Sequence, residues 1–237
     1  MDRILAVIPV HNRREMTLAI LGQLQTVKRT GFHLDVLVID DGSSDGTSMM
    51  VTKRFPEVFL VRGDGNLWWG GALNVGFRYA LDHGYDYIYT LNNDIVLHED
   101  TLEQLHQTAG RLPNTVCGSI VLDENDRILG AGYTFDGFLH KHRCHNKSKS
   151  YESVSQDFLP CETLSTESTL IPAGVLKQGL FIDNKRFPHN YSDLDFFDLV
   201  RRKGFKLVIV RGSVIHARES SSNYHLFIAN KNTQEIL

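Results

Sequence analysis

Tyr87-Ile88-Tyr89-Thr90-Leu91-Asn92-Asn93-Asp94-Ile95-Val96 joins a strand-like run to a polar, acidic end. Its first half is apolar, aromatic and β-branched, the composition of a short strand covered on both faces. It runs directly into small polar groups that end in a carboxylate. In an open α/β sheet, ligands sit at the carboxyl ends of the strands. A hard oxygen ligand there, Asp94, is placed to hold Mg²⁺ or Mn²⁺ against the phosphates of a nucleotide. The competing reading is local: Asn93 and Asp94 make an Asx turn ahead of a helix start at Glu99-Asp100-Thr101-Leu102.

The segments on either side repeat one pattern. Ile4 to Val10 is a near-continuous apolar run, and Met16, Leu18, Ile20, Leu21 and Leu24 follow at helical spacing. Leu34 to Ile39 is a second strand, with a helix expected over Met49 to Phe55. Val58 to Val61 is a third strand, with a helix expected over Ala72 to Leu81. Strand and helix alternating with short connections predict an α/β fold: a mostly parallel central sheet with helices on both faces. Val116 to Val121 continues the pattern, and Asp123 to Leu164 reads as a meander of short strands and loops. Thr169 to Ala173 is another strand, with a short helix over Val175 to Gly179. Ser192 to Lys203 is an amphipathic helix closed by Gly204, and Phe205 to Val210 is a late strand leading to His216.

A chain of 237 residues, 42% apolar and 22% charged, is long enough for a substantial core. A net charge of -3 gives no basic field, which disfavours a nucleic-acid binder. No apolar run is long enough to span a bilayer, and the first residues lack a signal-peptide layout. Cys117, Cys144 and Cys161 have no metal-type spacing and read as reduced thiols in a cytoplasmic protein.

Four further segments carry chemistry. Asp40-Asp41-Gly42-Ser43 ends the second strand, and a carboxylate there can accept the N3–H of uracil or thymine. The same cluster also suits a helix N-cap, through Ser44 or Asp45. His11-Asn12-Arg13 ends the first strand and lies beside it if the first two strands are neighbours; Arg13 then either approaches a phosphate, stacks on the base or is a solvated helix-start charge. Gly63 to Asn74 holds two adjacent tryptophans among glycines. One ring is expected on the core, the other free to wall a sugar or nucleotide site, and the glycines permit close backbone approach. Asn190-Tyr191-Ser192-Asp193-Leu194-Asp195 opens the late helix. Its acids either cap that helix or, for Asp193, act as a general base. His216 at a strand end is either a second metal ligand or a structural histidine.

Taken in order, these segments resemble the inverting, nucleotide-sugar-dependent glycosyltransferases of family 2, which have the GT-A fold. Val7-Ile8-Pro9-Val10-His11-Asn12-Arg13 is similar to the family's first strand and loop, and Val38 to Asp45 to its second-strand ending. Leu91-Asn92-Asn93-Asp94 stands where the family has D-x-D. Asn66 to Ala72 and Thr169-Leu170-Ile171-Pro172 resemble a rhamnosyltransferase-like subgroup. The resemblance implies one GT-A domain over 1–237, with a nucleotide-binding half (1–115) and an acceptor-binding half (116–237). It implies nucleotide contacts from Pro9, His11, Arg13, Asp41, Asn93 and Asp94, and sugar or acceptor contacts from Trp68, Trp69, Gly70, Gly71 and Asn74. Asp193 is then the catalytic base, and Asp94 and His216 hold a divalent metal, Mg²⁺ or Mn²⁺. The implied donor is dTDP-rhamnose or a UDP-hexose, and the acceptor is a carbohydrate or a lipid-linked hydroxyl. The implied setting is cell-surface polysaccharide synthesis in the cytoplasm, with peripheral association at the inner face of the membrane.

Three departures stand out. Asn92 and Asn93 leave D-x-D only its last carboxylate, and Ser192 replaces a Glu that commonly precedes the base. The chain also ends soon after Tyr224 to Asn232, where relatives continue into further helices. The first two keep open a non-catalytic nucleotide-sugar-binding module. A sugar-nucleotide pyrophosphorylase is disfavoured, because His11-Asn12-Arg13-Arg14 lacks that class's glycine-rich loop.

Overall fold

Buried strand sequences and amphipathic helices alternate through the first half of the chain. In the computed structural model, which describes residues 1–136, 141–187 and 191–218, they form β1 (Asp2–Val10), α1 (Arg14–Thr26), β2 (Phe32–Asp41), α2 (Thr47–Arg54), β3 (Phe59–Gly63), α3 (Trp68–Asp82) and β4 (Tyr87–Leu91). The chain continues through β5 (Ile95–Leu97), α4 (Thr101–Arg111), β6 (Thr115–Leu122), β7 (Ile128–Gly130), β8 (Tyr133–Asp136), β9 (Lys141–Cys144) and β10 (Phe158–Pro160). Last come β11 (Ser168–Pro172), α5 (Ala173–Lys177), α6 (Ser192–Arg202) and β12 (Lys206–Ala217). The segment Tyr224 to Asn232 lies outside the described residues.

The main sheet runs β10-β12-β6-β11-β4-β1-β2-β3, with β5 on β12 and β7 on β6. β3, β2, β1 and β4 are parallel neighbours, and β6 pairs parallel with β12. β11 is antiparallel to both β4 and β6 and joins the two parallel blocks. Helices cover both faces, as expected. Leu73 and Phe77 of α3, Val175 of α5 and Phe196 of α6 pack on one side. Leu18 and Leu21 of α1, Val51 of α2 and Leu102 of α4 pack on the other. β8 and β9 form a separate two-stranded ribbon within the meander.

From β1 the chain moves to β2 and β3 on one side, then returns to place β4 on the other. Strand order therefore reverses between β1 and β4, and a crevice opens beyond their carboxyl ends. The start of β11 lies at that same end because β11 runs the other way: Ser168 pairs with Leu91, the last residue of β4.

One close approach holds α3 on the sheet. A Cβ on Gly76 would meet Val7 Cγ1 at 2.3 Å and Cγ2 at 2.9 Å. Gly76→Ala should therefore destabilise the protein by roughly 1–3 kcal/mol despite alanine's better helix propensity. Gly22 in α1 has no atom within 4 Å of its virtual Cβ, so Gly22→Ala should stabilise by about 0.5–1 kcal/mol. Urea midpoints of the two variants should move in opposite directions.

Candidate active site

The crevice at the strand ends is a cleft of about 550 Å³. Pro9 near the end of β1 and His11 and Arg13 after it line the cleft, Asp41 ends β2, and Asn92, Asn93 and Asp94 follow β4. Trp68, Trp69 and Ala72 come from the start of α3, and Thr166 and Glu167 from the turn before β11. Tyr191, Ser192 and Asp193 come from the start of α6, and Ala217 from the end of β12.

The loops after β1 and β2 are stitched together by side chains. Asn12 Nδ2 donates to His11 Nε2 at 2.9 Å, so His11 Nδ1–H donates to the Asp41 carbonyl at 2.6 Å. That pairing sets the orientation of the ring against the end of β2. Asn12 Oδ1 accepts the Ser44 N–H at 2.8 Å, and the Asn12 N–H donates to Ser43 Oγ at 2.8 Å. Asp40 points away from the cleft and caps its own loop through Ser43 N–H and Ser48 Oγ–H.

Asp41 clamps the tryptophan turn. Its Oδ1 accepts the Gly65 N–H at 2.9 Å, and its Oδ2 accepts those of Leu67 and Trp68, each at 3.0 Å. A carboxylate offers about four acceptor sites, so roughly one remains for a ligand. Trp68 has a left-handed backbone, φ 54°, which is strained for a bulky residue and persists only when its surroundings enforce it. The clamp supplies that enforcement. Asp41→Ala would orphan three N–H groups and lower stability by roughly 3 kcal/mol or more. Thermal melting and the tryptophan emission maximum should both shift.

The two tryptophans, expected in a loop, form the first turn of α3 and divide as expected for neighbours on a helix. Trp69 packs against the core, and its Nε1–H donates to Thr166 Oγ1 at 2.9 Å. Trp68 is 53% exposed at the cleft. Gly70, Gly71 and Asn74 do not line the cleft, contrary to their expected role in sugar binding. Gly70 and Gly71 are buried against Ile182 and Asn184, where a Cβ would come within 2.8 Å and 3.2 Å of them respectively. Asn74 is consumed by the segment before α6: Nδ2 donates to the Ile182 carbonyl at 2.8 Å, and Oδ1 accepts the Ile182 N–H at 3.0 Å.

Asp94 meets Arg13. The guanidinium Nη1 lies 2.8 Å from Asp94 Oδ2, and the arginine side chain is half exposed. Asn93 is buried and donates to Thr17 Oγ1 at 3.1 Å, which ties the turn to α1. Asn92 Oδ1 is buried with no hydrogen-bond partner among the described residues. An unpaired buried acceptor is costly without a ligand.

His216 is not on the cleft. Side chains alternate across a strand, and the cleft is lined by its neighbour Ala217. The His216 ring instead contacts His98 Nε2 through Nδ1 at 2.9 Å and Asp126 Oδ1 through Nε2 at 2.9 Å. Both ring nitrogens are engaged, which removes it as a partner of Asp94 in metal binding. Among the described residues no group of three or more His, Cys, Asp or Glu is arranged around a metal site. Mg²⁺ and Mn²⁺ at nucleotide sites need only one or two protein oxygens, with phosphates and water completing the shell. Asp94 and the unpaired Asn92 oxygen fit that requirement.

Asp193, in the first turn of α6, is buried, and its Oδ1 accepts the Leu194 N–H at 2.9 Å. Burial, with a smaller contribution from the charge of Glu167, pushes its carboxyl up to about 6. A carboxylate tuned to that range suits proton abstraction near neutral pH. The preceding Tyr191 has φ 66°, a second strained aromatic residue at the cleft. Thr166 and Glu167 are cleft residues that the sequence reading did not single out. The signal was the short polar run Ser165-Thr166-Glu167 immediately before a strand.

Comparison with known proteins identifies the family and the fold. The family model described as "Glycosyl transferase family 2" matches residues 5–155. The chain is 33% identical over 120 residues to an undecaprenyl-phosphate mannosyltransferase of Micrococcus luteus, covering 49% of this chain and 48% of that one. It is 32% identical over 95 residues to an uncharacterised protein of Methanocaldococcus jannaschii, covering 38% and 39%. The chain thus spans half or less of the length of these curated relatives. Among solved structures it resembles GalNAc-T7 with UDP, GalNAc and Mn²⁺ (TM-score 0.74, 11% identity, 92% of this chain and 44% of that one). It also resembles the mannosyltransferase PcManGT of Pyrobaculum calidifontis with GDP-Man and Mn²⁺ (TM-score 0.68, 14% identity, 95% and 59%). At these identities the likeness establishes the fold, which is GT-A-like. The match over residues 5–155 places the chain itself: it belongs to glycosyl transferase family 2.

Proposed function

We propose that the chain transfers a sugar from a nucleoside-diphosphate donor to an acceptor hydroxyl with inversion at the anomeric carbon. The observation that carries this reading is a single cleft lined by both Asp94 and the buried Asp193, whose carboxyl burial pushes up to about 6. Residues 1–115 form the donor half, with the base and ribose along Pro9, His11 and the remaining acceptor site of Asp41, and Asn93 below. Residues 116–237 form the acceptor half. Trp68 offers a flat apolar face to a sugar ring, with Trp69 supporting the turn from behind.

Asp193 takes the proton from the acceptor hydroxyl as that oxygen attacks the anomeric carbon. The bond from that carbon to the phosphate oxygen breaks on the opposite side, and its electron pair leaves with the nucleoside diphosphate. A Mg²⁺ or Mn²⁺ bound by Asp94 and Asn92 would supply charge neutralisation for the diphosphate. Arg13, released from Asp94, can add hydrogen bonds to the same phosphates. Holding donor and acceptor in line supplies much of the acceleration.

The subgroup resemblance favours dTDP-rhamnose or a UDP-hexose as donor, in cytoplasmic synthesis of a cell-surface polysaccharide. No helix among the described residues is long and apolar enough to cross a membrane. The polyprenyl lipid in the name of the Micrococcus relative supports peripheral association with the inner membrane face. The test is release of nucleoside diphosphate from dTDP-rhamnose, UDP-glucose, UDP-galactose and GDP-mannose, with a panel of glycoside acceptors. Acceptor-stimulated release from a UDP or dTDP sugar, with inverted anomeric configuration in the product by NMR, is expected. Retained configuration, or no release from any donor, would overturn the reading.

A further inference from the structure

We propose that Glu167 selects the acceptor class: with Asp193 it forms a carboxylate wall that admits a neutral hydroxyl as nucleophile and turns away a phosphate. This rests on the glycosyltransferase reading above and deepens it by naming what the acceptor half takes.

The turn carrying Glu167 is held from several sides. Its carbonyl accepts the Asn92 N–H at 3.0 Å, which sets it beside the polar end of β4. Ser165 Oγ donates to Glu167 Oε2 at 3.3 Å, and Thr169 Oγ1 donates to the Ser165 carbonyl at 2.7 Å. The neighbouring Thr166 accepts the Trp69 indole N–H. Thr163 Oγ1 donates to the Leu194 carbonyl at 2.8 Å, which fixes the approach to this turn against the helix that carries Asp193. Both residues therefore line the cleft from a well-held frame.

The charge of this half runs against a phosphate acceptor. Among the described residues lining the cleft, Arg13 is the one Lys or Arg, and its guanidinium lies on Asp94, on the donor side. Phosphate recognition relies on Arg, Lys or free backbone N–H groups. The Leu194 N–H at the start of α6 is already taken by the Asp193 carboxylate. A phosphate acceptor is also its own nucleophile and needs no base, whereas a hydroxyl must lose a proton during attack. A base on one side and a second negative group beside it suit a hydroxyl, whose O–H and neighbouring hydroxyls donate to carboxylates. By this reading the chain parts from the Micrococcus relative, whose name gives undecaprenyl phosphate.

The test uses the full chain saturated with UDP and Mn²⁺, titrated with farnesyl phosphate and with farnesol, as wild type and as Glu167→Gln. Wild type should bind the phosphate no more tightly than the alcohol. Glu167→Gln should bind the phosphate at least tenfold more tightly than wild type does and should lose the wild-type preference against the phosphate relative to farnesol. Glu167→Ser should repeat that result, which guards against a defect peculiar to one variant. Tighter binding of farnesyl phosphate than of farnesol by wild type would overturn the proposal. So would phosphate affinity unchanged in both variants. UDP titration of the same samples separates the two layers: if UDP binds equally to all, a failed acceptor arm counts against Glu167 alone. If UDP binds to none, the nucleotide-sugar reading falls and takes this one with it.

Discussion

Asp193→Asn should lower transfer by about 10²–10⁴-fold while making the protein more stable. Asparagine preserves the size of the side chain and can still accept the Leu194 N–H, but it cannot take a proton from the acceptor. The stability gain follows from burial. The Asp193 carboxyl stands at about 6, against an ordinary 3.8, so the fold favours its neutral form. Its contribution to stability is full below the ordinary value and is lost as pH rises through about 6. At 1.36 kcal/mol per pH unit, the charged form burdens the fold by up to about 3 kcal/mol above pH 7. The variant should melt higher than wild type at pH 8, with the difference vanishing near pH 4. Wild-type transfer should fall as pH drops through 6. Loss of transfer with a lower melting point would point to a structural role for Asp193 instead.

Asp94→Ala should abolish the dependence of nucleotide binding on Mn²⁺ and weaken UDP binding in its presence by roughly two orders of magnitude. Only one carboxylate remains in this D-x-D position, so no second acid can replace it. The same change frees Arg13, whose guanidinium is held by Asp94 in the nucleotide-free protein. Residual, metal-independent binding through that arginine is therefore expected and should weaken steeply with salt. Calorimetric titration of UDP with and without Mn²⁺ reads both effects. Wild-type affinity retained in Asp94→Ala would remove Asp94 from the donor site.

The pattern that made the fold legible was the alternation of buried strands and amphipathic helices from Ile4 to Leu91, which the β1 to β4 sequence follows closely. The residues after β1, β2 and β4 were legible for the same reason, since parallel strands deliver their carboxyl ends to one edge. Glu167 was not, because it precedes an antiparallel strand, so the start of β11 reaches the cleft. Strand direction is set by pairing, not by local composition. His216 failed by one residue: strand alternation gives the cleft to Ala217 and turns the histidine toward His98 and Asp126. Asn74 and the two glycines beside the tryptophans were read as ligand contacts because a Gly-rich run permits close approach of any backbone. Here the approaching group is the protein's own 182–184 segment. Asp41 showed a further limit, since its three N–H partners lie 24 to 27 residues away.

In the proposed complex one cleft holds the donor between Asp41 and Asp94 and faces it with Asp193. A crystal structure of the chain with UDP and Mn²⁺, phased to show the metal by anomalous scattering, tests it most directly. The uracil ring should lie beside Asp41, the metal about 2.1 Å from an Asp94 oxygen, and the Arg13 guanidinium on the diphosphate. A metal bound instead at the His98, His216 and Asp126 cluster, or UDP seated outside the cleft, would contradict it.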